Sequence, residues 1–92
     1  MAKVVVTFTI MPTSPDVELT VIEEKAKKEI TSFVGKTGFK VEQKPVAFGL
    51  KSLNILFLVD EEKGSTEALE KKIAALDGVS SCEVTDVRRA IG

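Results

Sequence analysis

The 92-residue sequence has no histidine, tyrosine or tryptophan, and it has a single cysteine, Cys82. Without histidine, nucleophilic catalysis by Ser–His or Cys–His pairs is excluded, and so are metal sites with histidine ligands. One cysteine excludes an internal disulfide, thiolate zinc sites and cysteine-ligated iron–sulfur clusters. We therefore expect a protein that is not an enzyme and needs no cofactor, and we assign Cys82 no role beyond a small strand residue.

The sequence also lacks a long hydrophobic run and an excess of charge of either sign. No apolar stretch approaches the roughly 20 residues of a membrane helix, and the N-terminus lacks the features of a signal peptide. Thirteen basic and fourteen acidic residues give a net charge of −1, whereas proteins that bind nucleic acid usually carry a basic excess. We expect a cytoplasmic protein with no membrane partner and no direct contact with nucleic acid.

Hydrophobic residues alternate with polar ones along four segments, as in half-buried strands. The predicted strands are Lys3–Met11, Phe39–Leu50, Lys51–Val59 and Val79–Val87. Pro45 lacks a ladder donor, so it places the second strand at a sheet edge or at a bulge. Residues 88–92 are expected to form a tail beyond the last strand.

Two other segments repeat hydrophobic residues at spacings of three and four, which predicts amphipathic helices over Asp16–Val34 and Ser65–Leu76. Residues that start or stop helices flank both segments: Ser14 or Asp16 and Ser65 at the beginnings, and Gly35, Gly38 and Gly78 at the ends.

The element order β-α-β-β-α-β predicts an α+β fold, the ferredoxin-like plait, as one domain over residues 1–92. We expect a four-stranded antiparallel sheet in strand order 4-1-3-2 with both helices on one face, which puts the Pro45 strand at an edge. The expected core consists of alternate strand residues and the two helix stripes: Val4, Val6, Phe8, Ile10, Leu53, Ile55, Phe57 and Val59, with Leu19, Ile22, Ala26, Ile30, Phe33, Leu69, Ile73 and Leu76.

This fold hosts many unrelated functions, so the function of this chain depends on particular residues and not on the fold. A heavy-metal-binding plait needs paired cysteines after the first strand, where this chain has Met11–Ser14. An RNA-binding plait stacks bases on aromatic side chains of its open sheet face, but Phe8 and Phe57 belong to the apolar face. The acidic residues Asp60–Glu62 could ligate a hard cation, although an exposed turn before a helix favours acids without any ligand.

Phe48 lies between Ala47 and Gly49, two very small residues at the end of a predicted strand. An aromatic ring in this position either projects from a tight bend as an anchor for another protein or folds back into the core beside Phe39. The residues alone favour neither alternative.

Arg88 and Arg89 are the only arginines of the sequence. Paired guanidinium groups suit the recognition of carboxylate or phosphate. The alternative is a basic terminus that only adds solubility.

Three segments keep their order and spacing from residue 45 to residue 89. Residues 45–55 read Pro-Val-Ala-Phe-Gly-Leu-Lys-Ser-Leu-Asn-Ile, residues 59–64 form an acidic turn, and residues 79–84 read Val-Ser-Ser-Cys-Glu-Val. Together they resemble the exchange domain of the translation elongation factor 1-beta family, whose first segment reads Pro-x-Gly-Phe-Gly-Ile-Lys-Lys-Leu-x-Ile. The chain begins at the plait itself and so is similar to the short archaeal form.

The resemblance implies a guanine-nucleotide exchange factor that promotes GDP release and GTP reloading of the GTPase elongation factor 1-alpha. The implied partner is that GTPase, both with GDP and magnesium and free of nucleotide. The implied partner-binding residues are Phe48, Gly49, Lys51, Arg88 and Arg89.

The sequence departs from the family pattern at Ala47, which replaces a glycine, and at Arg89, which stands where the family has a near-terminal lysine. Because Arg88 precedes it, either arginine could reach the GTPase's magnesium site. The alignment with the family segment favours Arg89. The alternative function is a ferredoxin-like module that senses a ligand or oligomerises, without exchange activity.

Overall fold

Four strands and two helices follow one another in the order β-α-β-β-α-β in the computed structural model, which describes residues 3–35, 38–60 and 66–90. The elements are β1 (Lys3–Pro12), α1 (Leu19–Val34), β2 (Phe39–Pro45), β3 (Lys51–Asp60), α2 (Glu67–Ala74) and β4 (Val79–Ala90). The sheet has the order β2-β3-β1-β4 and every neighbouring pair is antiparallel. The predicted plait and its strand order are confirmed, and the strand that ends at Pro45 lies at an edge.

Both helices pack on the same face of the sheet, which we call the helix-side face, and the other is the open face. Alternate residues of β1 and β3 meet the helix stripes there and form the core: Val6, Phe8, Ile10, Leu53, Ile55, Phe57 and Val59, with Leu19, Ile22, Ala26, Ile30, Leu69 and Ile73. The rings of Phe8 and Phe57 meet edge to face with centroids 5.1 Å apart, a favourable aromatic geometry. The prediction that both rings belong to the core is confirmed.

The first helix begins three residues later than predicted, at Leu19 rather than Asp16. Residues 14–17 form a turn instead, in which the Val17 amide donates to the carbonyl of Ser14 at 3.3 Å. The residue at the helix start is Glu18, so the prediction that Ser14 or Asp16 caps this helix is wrong. Gly35 ends the helix as predicted, with φ of 83° and its amide bonded to the carbonyl of Thr31.

The second helix is shorter than predicted, covering Glu67–Ala74. Its predicted cap, Ser65, and the acidic residues 61 and 62 lie outside the described residues. Leu76 follows the helix and still packs, half-buried, against the core.

Two predicted strand ends are wrong. β2 stops at Pro45 rather than Leu50, because the chain turns sharply at Ala47–Gly49. β4 runs to Ala90 rather than Val87, so Arg88 and Arg89 are strand residues and not a tail. They pair with Val5 and Val4 of β1.

Candidate functional site

The turn between β2 and β3 presents one aromatic side chain to solvent. Ala47–Gly49 form a single tight turn, closed by the Leu50 amide donating to the Ala47 carbonyl at 3.2 Å. Phe48 has φ of 62° and ψ of 32°, and Gly49 has φ of 75°. Two consecutive positive φ angles match the type I′ hairpin turn, whose backbone twist suits the flanking strands.

Phe48 is 94% exposed, so the ring does not fold back beside Phe39. Folding therefore gains almost no burial from this side chain. Aromatic side chains are enriched among the residues that carry binding energy, so a phenylalanine exposed at the tip of a hairpin is a candidate anchor for a partner.

Gly49 and Lys51 border a polar cleft beside this turn. The cleft has a volume of about 270 Å³, and its opposite wall is the β1–α1 loop, which carries the exposed acids Asp16 and Glu18. Lys51 pairs with Pro45 at the first rung of the β2–β3 ladder and is exposed. Phe48, Gly49 and Lys51 thus form one group, which we call the turn group.

Arg88 and Arg89 lie on opposite faces of β4. Arg88 stands opposite Val5 on the open face, and Arg89 stands opposite Val4, which packs at the margin of the core on the helix-side face. This follows from the alternation of side chains along a strand. Both arginine side chains are exposed.

The guanidinium of Arg88 has a partner on its own strand, since its Nε lies 2.8 Å from Oδ2 of Asp86. Both side chains are exposed, so the pair contributes little to stability. In this geometry the Arg88 side chain lies along β4 towards Asp86. Sequence reasoning missed Asp86, although residues two apart on a strand share a face, and that spacing was available in the sequence.

The structure does not bring the arginines and the turn group together. Arg89 pairs with Val4, and Val4 pairs with Val59, whereas the turn adjoins Lys51 at the other end of β3. The distance from Lys51 to Val59 along the strand is about 26 Å, at about 3.3 Å per residue. The candidate site therefore has two parts at opposite ends of the sheet.

Side-chain hydrogen bonds across the middle of the open face connect the strands that separate these two parts. The Thr9 hydroxyl donates to Oδ1 of Asn54 at 2.7 Å and lies 2.9 Å from the hydroxyl of Thr85. Asn54 and its neighbour Ser52 are buried among their neighbours on this face. The bonds tie β3, β1 and β4 together beyond their backbone ladders.

Cys82 is half-buried on β4. Burial, reinforced by the carboxylates of Glu70 and Glu83, raises the pKa of its thiol from 9.0 to about 12. The thiolate is the reactive form of cysteine, so this thiol is poorly suited to nucleophilic or redox chemistry.

The part of the chain that the structure describes has neither a cluster of metal-binding side chains nor a helix that could span a membrane. No group of three or more histidine, cysteine, aspartate or glutamate side chains is arranged to hold a metal ion. Neither described helix is long and apolar enough to cross a membrane.

Residues 5–90 match a family model described as the EF-1 guanine nucleotide exchange domain. Elongation factor 1-beta of Methanothermobacter thermautotrophicus is 42% identical over 89 residues, which cover 97% of this chain and 98% of that protein. Elongation factor 1-beta of Staphylothermus marinus is 37% identical over 90 residues, with coverage of 97% and 98%.

Two solved structures resemble the fold at low sequence identity. The de novo designed protein Foldit4 superposes with a TM-score of 0.62 at 20% identity, covering 98% of each chain. The structure described as BlrP1 BLUF superposes with a TM-score of 0.55 at 11% identity, covering all of this chain and 57% of the other. These two similarities concern the fold alone.

Proposed function

The chain belongs to the EF-1 guanine nucleotide exchange domain family, and we propose that it promotes the release of GDP from elongation factor 1-alpha. The GTPase is then reloaded with GTP. We place this activity in the cytoplasm, during translation elongation. The match extends from residue 5 to residue 90. The observation that carries the proposal is the exposure of Phe48 at the tip of a hairpin, because folding alone does not account for that ring.

The proposed mechanism uses binding energy and no covalent chemistry. A partner that binds the nucleotide-free GTPase more tightly than the GDP-bound GTPase weakens GDP binding by the same factor, since the two equilibria are linked. Such a partner needs an anchor and a group that competes with nucleotide or magnesium. It does not need a nucleophile, a general base or a resident metal.

Phe48 is the proposed anchor, Gly49 belongs to the turn that presents it, and Lys51 contributes to the same surface. A phenyl ring that is 94% exposed can bury nearly its whole area in a pocket of the partner. Large aromatic anchors of this kind often carry about 2 kcal/mol or more of binding free energy. The adjoining cleft with Asp16 and Glu18 lets the contact continue around the base of the turn.

Arg89 is the proposed competing group. A guanidinium brought against the magnesium site repels the metal through like charge and offers its donors to phosphate oxygens. Arg88 lies on the opposite face, where Asp86 accepts from its guanidinium, so its proposed role is to bind the GTPase surface outside the nucleotide site.

The separation of the two parts supports a macromolecular partner. No small molecule reaches both ends of a sheet separated by about 26 Å of strand, whereas a protein surface can span that distance. The backbone ladders between β1, β3 and β4 connect the two parts within one sheet. Docking at Phe48 therefore fixes where Arg89 lies on the GTPase.

A fluorescent-GDP release assay tests the proposal. Elongation factor 1-alpha is loaded with the labelled GDP and magnesium and is mixed with excess unlabelled GTP, with and without this chain. The expected result is a release rate that rises with the concentration of the chain and then saturates.

The variant Val21→Ala is the matched control, because Val21 is an apolar residue, 48% exposed, on α1 and outside both parts of the site. It is expected to accelerate release as the wild type does. A release rate that the wild-type chain leaves unchanged at every concentration would refute the exchange function and leave the ligand-sensing or oligomerising module as the remaining alternative.

A further inference from the structure

Phe48 has a left-handed backbone conformation that phenylalanine rarely adopts. Phe48 is the only non-glycine residue with positive φ among the described residues. The left-handed conformation costs an ordinary residue free energy because Cβ approaches the following carbonyl, and type I′ turns accordingly favour glycine, asparagine and aspartate. A phenylalanine is therefore held in this turn against local preference.

Packing does not compensate for this conformation. The ring is 94% exposed, so it contributes almost nothing to the hydrophobic core. The conformation is imposed by the hairpin, in which the Leu50 amide bonds the Ala47 carbonyl and the Val46 amide bonds the Leu50 carbonyl at 2.8 Å. Strain at an exposed aromatic residue points to a function for its position.

Gly49 makes this geometry possible. Its φ is 75°, and apart from Gly49 itself and its neighbours Phe48 and Leu50, no described residue has an atom within 4 Å of the position that a Cβ would take. A side chain at residue 49 would thus meet no steric obstacle in the free protein. The requirement for glycine comes from the backbone conformation alone.

We propose that Gly49 is a positioning residue that acts through Phe48: its left-handed backbone holds the Phe48 ring in the direction from which the GTPase binds it. This inference rests on the proposed function, in which Phe48 is the anchor. The turn is ordered before the partner arrives, so binding does not have to order it, and preorganisation of this kind raises affinity.

The variants Gly49→Ala and Gly49→Asn test the proposal, with binding to nucleotide-free elongation factor 1-alpha as the measurement. Alanine disfavours the left-handed region and asparagine tolerates it. In the free Gly49→Ala variant the exposed turn relaxes, and the left-handed geometry must be restored on binding. The expected result is a roughly five- to thirtyfold weaker affinity for Gly49→Ala and a smaller loss for Gly49→Asn.

The same substitution in a Phe48→Ala background separates positioning from direct contact. If Gly49 acts only through the ring, Gly49→Ala causes no further loss of affinity once the ring is gone. Equal losses in both backgrounds would overturn the inference, because Gly49 would then make a contact of its own. Unchanged affinity of Gly49→Ala alone would overturn it as well.

A third outcome distinguishes this inference from the function on which it rests. If Phe48→Ala itself binds as the wild type does, the anchor role is wrong and the positioning role falls with it. If Phe48→Ala binds weakly and Gly49→Ala does not, only the positioning role is wrong.

Discussion

Arg88 and Arg89 are consecutive residues of β4 whose side chains lie on opposite faces of the sheet, opposite Val5 and Val4 of β1 respectively. Arg88 forms an ion pair with Asp86 of the same strand, on the open face. Two adjacent arginines in a strand therefore cannot enter the same small site, and under the proposed mechanism at most one of them competes for magnesium.

We predict that Arg89→Ala and Arg88→Ala affect GDP release unequally. Loss of one partner of a desolvated charged contact costs about 2–5 kcal/mol, and the lower value corresponds to a roughly thirtyfold slower release. We expect Arg89→Ala to show at least this effect at saturating concentration. Arg88→Ala is expected to weaken binding and to leave the saturated rate within about threefold of wild type. A slower saturated rate for Arg88→Ala than for Arg89→Ala would reverse the assignment.

Deletion of residues 88–92 is predicted to destabilise the fold. It removes three backbone pairs of the β1–β4 ladder, at Lys3, Val4 and Val5, and each backbone hydrogen bond contributes about 1 kcal/mol. We expect the free energy of unfolding to fall by about 1–3 kcal/mol in urea denaturation. The matched control is the double variant Arg88→Ala/Arg89→Ala, which keeps the backbone pairs and should lie within about 0.5 kcal/mol of wild type. Equal stability of the deletion and the control would show that the last rungs contribute nothing.

The variant Phe48→Asn is predicted to stabilise the protein and to abolish its anchor. Asparagine tolerates the left-handed conformation, so relief of strain should raise the free energy of unfolding by about 1 kcal/mol, or Tm by about 4–8 °C. Affinity for the GTPase should fall by about 2 kcal/mol or more. Thermal unfolding and a binding titration on the same preparation give both values.

Phe57→Ala provides the contrast for that experiment, because this ring is buried and packs edge to face on Phe8. Truncation of a buried phenylalanine costs about 3–5 kcal/mol of folding stability. A loss of stability of that size for Phe48→Asn would mean that Phe48 contributes to the core after all.

Cys82 is predicted to resist alkylation in the folded protein. Its thiol pKa is about 12 instead of 9.0, chiefly through burial and secondarily through Glu70 and Glu83. At pH 8 the thiolate fraction of the folded chain is about a thousandfold lower than that of the unfolded chain. Iodoacetamide labelling should therefore be slow in buffer and fast in urea, and similar rates in the two would contradict the raised pKa.

The same group makes a contribution to stability that depends on pH. Because the pKa is raised on folding, the folded chain keeps the Cys82 proton where the unfolded chain has lost it. This contribution is fully present below about pH 9 and is lost progressively as the pH rises towards 12.

The core and the strand order were predictable because both depend on periodicity. Apolar residues at every second position of β1 and β3, and the stripes of α1 and α2, leave one arrangement that buries them together. Pro45 indicated that the second strand lies at an edge of the sheet, because a proline in a central strand would leave a ladder acceptor unmatched.

The ends of the helices and strands were less predictable, because alternative local hydrogen-bonding patterns compete at those positions. The polar residues before Leu19 offered helix caps, yet the backbone turn at Ser14–Val17 formed instead. Arg88 and Arg89 carried no hydrophobic alternation and suggested a tail, although charged residues are common on edge strands, where they discourage edge-to-edge pairing.

The exposure of Phe48 could not be derived from the residues alone. Ala47 and Gly49 indicated a tight bend, and a tight bend permits the ring to point either way. The left-handed φ of 62° decides the outcome, and sequence rules assign that conformation to asparagine or glycine rather than to an aromatic residue.

The central claim is that exchange comes from differential binding to two states of the GTPase. The most direct test is to measure the affinity of the chain for nucleotide-free and for GDP-magnesium-bound elongation factor 1-alpha, together with the affinity of that GTPase for GDP with and without the chain. The account predicts at least about tenfold tighter binding to the nucleotide-free form, and a loss of GDP affinity by the same factor, as linkage requires. Equal affinity for the two forms would contradict it, because a partner that does not distinguish them cannot displace the nucleotide.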